Sequence, residues 1–148
     1  MTLDNIHASA VVIGDRGVVI TGPSGAGKTQ LALGLICHAK AFGLSGRLVA
    51  DDRIFLRAHG GRLVAHAPDA IAGLVEVRGV GPASISFERK APVDLVVALV
   101  ARDLAERLPE PKTVQLLGCE LPLLELACDD RQAAVNAIAA RLALSPFG

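Results

Sequence analysis

The residues Gly22-Pro23-Ser24-Gly25-Ala26-Gly27-Lys28-Thr29 follow the pattern G-x-x-x-x-G-K-[ST] without a mismatch. Glycines at these positions let the main chain curl until successive N–H groups point at one centre and bind phosphate oxygens. The positive end of a following helix adds to that seat before any side chain contributes. Lys28 then brings a point charge to the β- and γ-phosphates, and Thr29 offers a hydroxyl to Mg2+. The pattern predicts a site for a nucleoside triphosphate, or at least for a polyphosphate.

Two acids come next. Asp51 and Asp52 follow the apolar run Leu48-Val49-Ala50. In phosphate-loop folds the strand beside the loop ends with a carboxylate near the metal. Adjacent acids can divide the work, one facing the metal shell and one facing an incoming hydroxyl. An Asx turn at a strand end is the plainer alternative. Glu76 and Arg78 flank Val77, so in an extended segment their side chains share a face. A carboxylate for Mg2+ beside a guanidinium for phosphate suits that spacing, and so does a surface ion pair. His7, His38, His59 and His66 are individually ambiguous, and Arg107 by itself reads as a loop charge.

These residues need elements to hold them. Ala8–Ile13 and Val18–Thr21 are β-branched runs around Gly14-Asp15-Arg16-Gly17, the pattern of a hairpin. After the loop, Leu31, Ala32, Leu35 and Ile36 form an apolar stripe that predicts a helix from Lys28 to Lys40, with Gly43 and Gly46 at its exit. A short buried strand, Leu48-Val49-Ala50, leads into the acids. Ile54–His59 and Arg62–His66 flank Gly60-Gly61 as a second hairpin. Gly73, Gly79, Gly81 and Pro82 break the chain around Val75–Arg78 into turns. Val93–Val100 reads as a central strand covered on both faces. Thr113–Leu117 and Leu121–Leu126 are further strands, and Asp130–Leu144 is a helix capped by Asp129 or Asp130. The whole predicts one mixed α/β unit over residues 1–148, richer in strands than in helices.

Composition narrows the function. Lys+Arg and Asp+Glu balance at 15 each, without the cationic excess that nucleic acid or a membrane surface demands. Aromatic residues are 3%, with no Trp or Tyr, so there is no platform for stacking bases. Cys37, Cys119 and Cys128 have no ligand-like spacing and are expected to pack as small apolar residues in a reducing compartment. The first ten residues lack a cationic start and an apolar stretch, which predicts no secretory leader and a cytoplasmic location. Neither D-x-x-G nor N-K-x-D occurs, which sets a GTPase aside. A small-metabolite kinase and a nucleotide-sensing module without catalysis both remain open.

The hairpin before the loop, Gly22–Thr29, the run Leu48-Val49-Ala50-Asp51-Asp52-Arg53 and the run Glu76-Val77-Arg78-Gly79-Val80-Gly81 together resemble the HPr kinase/phosphorylase family. The resemblance covers essentially the whole chain as the family's catalytic domain, without its usual N-terminal domain. It implies a P-loop-containing mixed sheet with hairpins and flanking helices, related to phosphoenolpyruvate carboxykinase. It also implies ATP and Mg2+ as cofactors, an HPr-like phosphocarrier as protein substrate, and a homo-hexamer. By the same resemblance, Lys28 and the loop amides hold the phosphates, and Thr29 and Glu76 hold Mg2+. Asp52, or else Asp51, takes the proton of the target serine, while His7, Arg78 and Arg107 match further active-site positions. One stretch departs from the pattern. Where the family carries P-V-R-P-G-R, a string tied to dephosphorylation, Leu124–Arg131 offers Arg131 as the only comparable cation. The resemblance thus implies the kinase direction.

Overall fold

A computed structural model describes residues 3–148. Along the chain run β1 (Leu3–Ile6), β2 (Ala8–Ile13), β3 (Arg16–Thr21), α1 (Lys28–Ala41), β4 (Gly46–Ala50), β5 (Ile54–His59) and β6 (Arg62–His66). Then come β7 (Leu74–Val77), β8 (Gly81–Ser84), β9 (Lys90–Pro92), β10 (Leu95–Val100), β11 (Lys112–Leu116), β12 (Cys119–Ala127) and α2 (Arg131–Arg141).

The main sheet has the order β11-β12-β10-β3-β2-β4. Strand β10 is parallel to both β3 and β12, and the other pairs are antiparallel. It follows that β3, β4, β10 and β12 all point the same way. Their C-terminal ends share one edge of the sheet, where ligands bind in open α/β folds. The N-terminal end of β2 reaches that edge too, because Ala8 pairs with Thr21.

Alternation along the central strands builds two cores. Leu95, Val97 and Leu99 pack with Leu31, Leu35 and Ile36 of α1 and Ile138 of α2. Val96, between them, packs in the opposite layer with Ile54, Leu56 and Leu63 of a second sheet, ordered β1-β5-β6-β9. Both faces are covered, which is why this strand reads as an unbroken apolar run. Each fully buried Leu or Ile there contributes roughly 1.5–3 kcal/mol relative to an exposed one. The α/β class, the hairpins around residues 14–17 and 60–61, and both helices agree with the sequence-based expectation, and the two strands expected around Gly118 pair as a third hairpin.

Several boundaries differ, each for a local reason. Gly46 is not a helix exit but the first residue of β4; a Cβ there would lie 3.0 Å from that of Ala39, so its small size lets strand and helix touch. The predicted strand from Val93 starts only at Leu95, because Asp94 turns back to Gly17 with its main chain and its carboxylate. The stretch expected to be turns around Val75–Arg78 is a hairpin of β7 and β8, with Glu76 opposite Pro82. Pro82 is tolerated because a two-stranded ribbon has only edges. Helix α2 ends at Arg141, before the predicted Leu144, with Ala143 at a left-handed φ of 53°. Asp130, not Asp129, is its cap, accepting from the Ala133 amide at 3.0 Å. Strand β1, polar and short, carries no period-2 signal and exists because it pairs with β5. Cys119 is buried as expected, but Cys37 and Cys128 are exposed thiols.

The two sheets meet at Gly17. Its amide donates to the Asp94 carboxylate at 2.8 Å, and its carbonyl accepts from the Asp94 amide at 2.8 Å. A Cβ at this position would sit 1.7 Å from the Pro92 carbonyl oxygen, a backbone atom that cannot step aside. Gly17→Ala is therefore expected to lower the unfolding free energy by about 3 kcal/mol. Urea denaturation followed by far-UV circular dichroism measures this.

Candidate phosphate-binding site

The loop from Gly22 to Gly27 joins the end of β3 to the start of α1. Gly25 and Gly27 adopt φ of 82° and 96°, a region closed to most side chains, and Gly27 is the N-cap of α1. The first helical amides are thus left facing the loop's concave side, where an anion is favoured. Lys28, only 6% exposed, donates from Nζ to the carbonyls of Gly22 at 3.0 Å and Pro23 at 3.2 Å. The same ammonium lies 3.7 Å from Asp52 Oδ1. Its charge is held at the loop by the loop's own carbonyls.

Asp51 is the junction of the site. Its Oδ1 accepts from Thr29 Oγ1 at 2.7 Å and from Ser9 Oγ at 3.0 Å, and its Oδ2 accepts from the Glu76 amide at 3.3 Å. Thr29 spends its proton on Asp51, which leaves the hydroxyl lone pairs free for a cation. Asp52 is different. It sits at a φ of 64° with 65% of its side chain exposed, and its amide donates to Ser9 Oγ at 3.0 Å. That twist aims consecutive carboxylates in different directions, one into the hydrogen-bond junction and one toward Lys28 and solvent.

A cavity of 220 Å³ is lined by Ser24, Gly25, Gly27, Lys28, Thr29, Gln30, Asp51, Asp52, Glu76 and Arg78. The structure thus gathers most of the residues that the sequence singled out. Glu76 and Arg78 reach it from the β7–β8 hairpin, both exposed and neither in an ion pair among the described residues. Oxygen ligands suit Mg2+, and the Thr29 hydroxyl with the carboxylates of Asp51 and Glu76 forms such a donor set on one wall. The residues present fit the ion.

Two of the expected residues stand apart. His7 is exposed at the bend before β2, one step beyond the Ala8–Thr21 pair, so it is level with Gly22 but does not line the cavity. Arg107 lies between β10 and β11 in a groove with Glu106, Leu126 and Ala137. It does not line the cavity at Lys28, and its groove shares Ala127 and Ala134 with the space beside Gly25–Gly27. Ser9 is the residue that sequence reasoning missed. It is wholly buried and bonds both aspartates, yet no motif marks it; a lone hydroxyl between alanines of an apolar strand was the available signal.

On the other side of the loop, Arg102 and Asp129 join the turns after β10 and β12 at 2.8 Å. The hydrogen bond from Arg102 holds the Asp129 carboxyl below its ordinary range. Arg131 donates to Gln30 Oε1 at 3.2 Å, tying α2 to α1.

A glycine-rich loop between a sheet strand and a helix, with carboxylates at the end of a neighbouring strand, defines a phosphate-loop α/β domain. Residues 2–143 match the family model described as HPr Serine kinase C-terminal domain, and the chain belongs to that family. It is 38% identical over 125 residues to the HPr kinase/phosphorylase of Bordetella petrii, covering 76% of this chain and 39% of that protein. With the HPr kinase/phosphorylase of Mycoplasma mycoides it shares 30% identity over 150 residues, 93% of this chain and 46% of the relative. The chain therefore spans less than half the length of these relatives. The solved HPr(Ser) kinase/phosphatase of Coxiella burnetii has the same fold, with a TM-score of 0.80 and 23% identity over 94% of this chain and 96% of that one. No described helix is long and apolar enough to cross a membrane.

Replacing Ser9 by Ala removes the partner of the Asp52 amide and one donor to Asp51. This change should cost about 1–3 kcal/mol of stability, read from the denaturant midpoint, with the slope of the transition unchanged.

Proposed function

We propose that this domain is an ATP-dependent protein-serine kinase acting on an HPr-like phosphocarrier protein. The observation that carries the reading is the division of labour between the two aspartates beside Lys28. Asp51 has both oxygens engaged, so it is a holder of Thr29 and of the β7–β8 hairpin. Asp52, exposed and facing Lys28, is free to receive a proton from an incoming serine hydroxyl. The family relationship supports the carrier as substrate, because the relatives are named for it.

Phosphoryl transfer leaves little covalent work to the protein, and catalysis is mostly positioning and stabilisation of charge. The loop amides between Gly22 and Thr29 hold the phosphate tail, and Lys28 meets the charge that gathers on the transferring group. Thr29, Asp51 and Glu76 are the residues that would hold Mg2+, which neutralises phosphate charge when bound. Arg78, on the cavity wall, supplies a guanidinium contact to phosphate oxygens beside the Lys28 ammonium. Asp52 takes the hydroxyl proton as the serine oxygen bonds to phosphorus and the bond to the nucleoside diphosphate breaks. His7 as an active-site histidine, the homo-hexamer and a cytoplasmic setting belong to the same reading by family resemblance.

One observation favours a second reading. Arg107, the downstream arginine implied by the resemblance, does not line the cavity that holds Lys28 and the aspartates, as a nucleotide-sensing module that no longer catalyses would allow.

The deciding experiment is incubation with radiolabelled ATP, Mg2+ and HPr-like carriers. Acid-stable phosphoserine on a carrier is the expected outcome; tight ATP binding without transfer to any carrier favours the sensing module instead. Lys28→Ala is expected to weaken Mg2+–ATP binding by about a hundredfold in calorimetry. Asp52→Asn should lower the transfer rate by about a thousandfold while nucleotide affinity stays within a few-fold of the parent. Full activity in Asp52→Asn would move proton transfer to another group.

A further inference from the structure

Among the described residues, Ser9 and Lys28 are the two polar or charged side chains that are buried. Lys28 belongs to the phosphate loop. Ser9 belongs to β2, where every other residue is Ala, Val or Ile, and it is wholly enclosed. An alanine would occupy the same place with no hydrogen bond to satisfy, so the hydroxyl needs a reason of its own. Ala10 pairs with Ala50 in antiparallel register, which sets Ser9 opposite Asp51, where β4 has ended.

A serine hydroxyl has one proton to give and lone pairs to accept with. Here the proton goes to Asp51 Oδ1 at 3.0 Å, and a lone pair accepts the Asp52 amide at 3.0 Å. The order is forced, because an amide N–H can only donate and an ionised carboxylate can only accept. One oxygen thus holds the side chain of the first aspartate and the main chain of the second, so the peptide between them cannot turn. Asp52 has a φ of 64°, a left-handed conformation that is unfavourable for a residue with a Cβ. This twist carries its carboxylate to within 3.7 Å of Lys28 Nζ, although the side chain is otherwise open to water.

We propose that Ser9 is a positioning residue for phosphoryl transfer, its buried hydroxyl locking the Asp51–Asp52 peptide in the turn that keeps the Asp52 carboxylate at Lys28. The role rests on the kinase reading given above. Ser9 does not line the cavity, so it touches neither phosphate nor acceptor and acts through Asp52. A carboxylate that takes a proton must lie within hydrogen-bond reach of the incoming hydroxyl, and a displacement of about 1 Å costs about a hundredfold in rate. Substrate binding, which the loop amides and Lys28 provide, does not depend on that alignment.

The test is a double-variant cycle on carrier phosphorylation, with rates referred to the folded fraction measured by circular dichroism. Ser9→Ala is expected to lower kcat about a hundredfold, while KM for the carrier and Mg2+–ATP affinity in calorimetry stay within about threefold. Ser9→Cys keeps the space filled but bonds weakly, and should lose about tenfold; it is read in the same way if Ser9→Ala does not fold. In an Asp52→Asn background, Ser9→Ala should lower kcat by less than about twofold more, because the group it positions is already gone. Val11→Ala opens a void on the same face of β2, and its folded fraction should turn over like the parent. Undiminished kcat in Ser9→Ala and Ser9→Cys, an equal fall in nucleotide affinity, the full loss repeated in the Asp52→Asn background, or a matching loss in Val11→Ala would overturn the positioning role alone. A parent chain that transfers phosphate to no carrier would overturn the kinase reading and this role with it.

Discussion

The Asp51 carboxylate is the contact on which the site is built. It accepts hydrogen bonds from the Thr29 hydroxyl, the Ser9 hydroxyl and the Glu76 amide. These partners belong to the helix start, the first strand of the main sheet and the hairpin that carries Glu76 and Arg78. One acidic group thus fixes three segments that are far apart in sequence. Hydrogen bonds to an ionised acceptor are stronger than neutral ones, so the junction holds geometry that the loop alone, rich in glycine, would not. Asp51 is occupied in this way, while the neighbouring Asp52 carboxylate faces Lys28 and solvent.

The sheet makes that contact possible. Because β3, β4, β10 and β12 run in one direction, the loop, the aspartates and the turn at Cys128 all emerge at the same edge. The order of strands then separates functions. Strand β4 brings acids to one flank of the loop, and β10 with β12 brings an apolar wall to the other.

The departure from the family string at Leu124–Arg131 has a structural meaning. These residues finish β12, cap α2 and enter it, and they line the flank away from the acids. The cation that remains, Arg131, bonds Gln30 of α1, and Asp129 is taken up by Arg102. The flank is therefore organised by paired side chains around an apolar wall, with less free positive charge than the family string would give.

Local chemistry alone made much of this legible. The phosphate loop, the strand before it, the amphipathic helix after it and the hairpins at residues 14–17 and 60–61 follow from glycine placement and periodicity, which act over a few residues. The family resemblance followed from short strings in a fixed order. Other features needed distant partners. Strand β1 exists through its pairing with β5, and the hairpin at Glu76 forms despite its glycines and proline because its edges are free. Nothing in the sequence says that Ser9 bridges Asp51 and Asp52, since that bond joins residues 42 positions apart. Nor could spacing reveal that Arg107 lines a different groove from the one at Lys28, because the path of its segment is set by where β11 docks on the sheet. The sequence determined which groups could bind phosphate, since those groups are contiguous. The tertiary structure decided which aspartate is tied down and which is free, because that depends on a left-handed turn at Asp52 and on hydroxyls brought in from elsewhere in the chain.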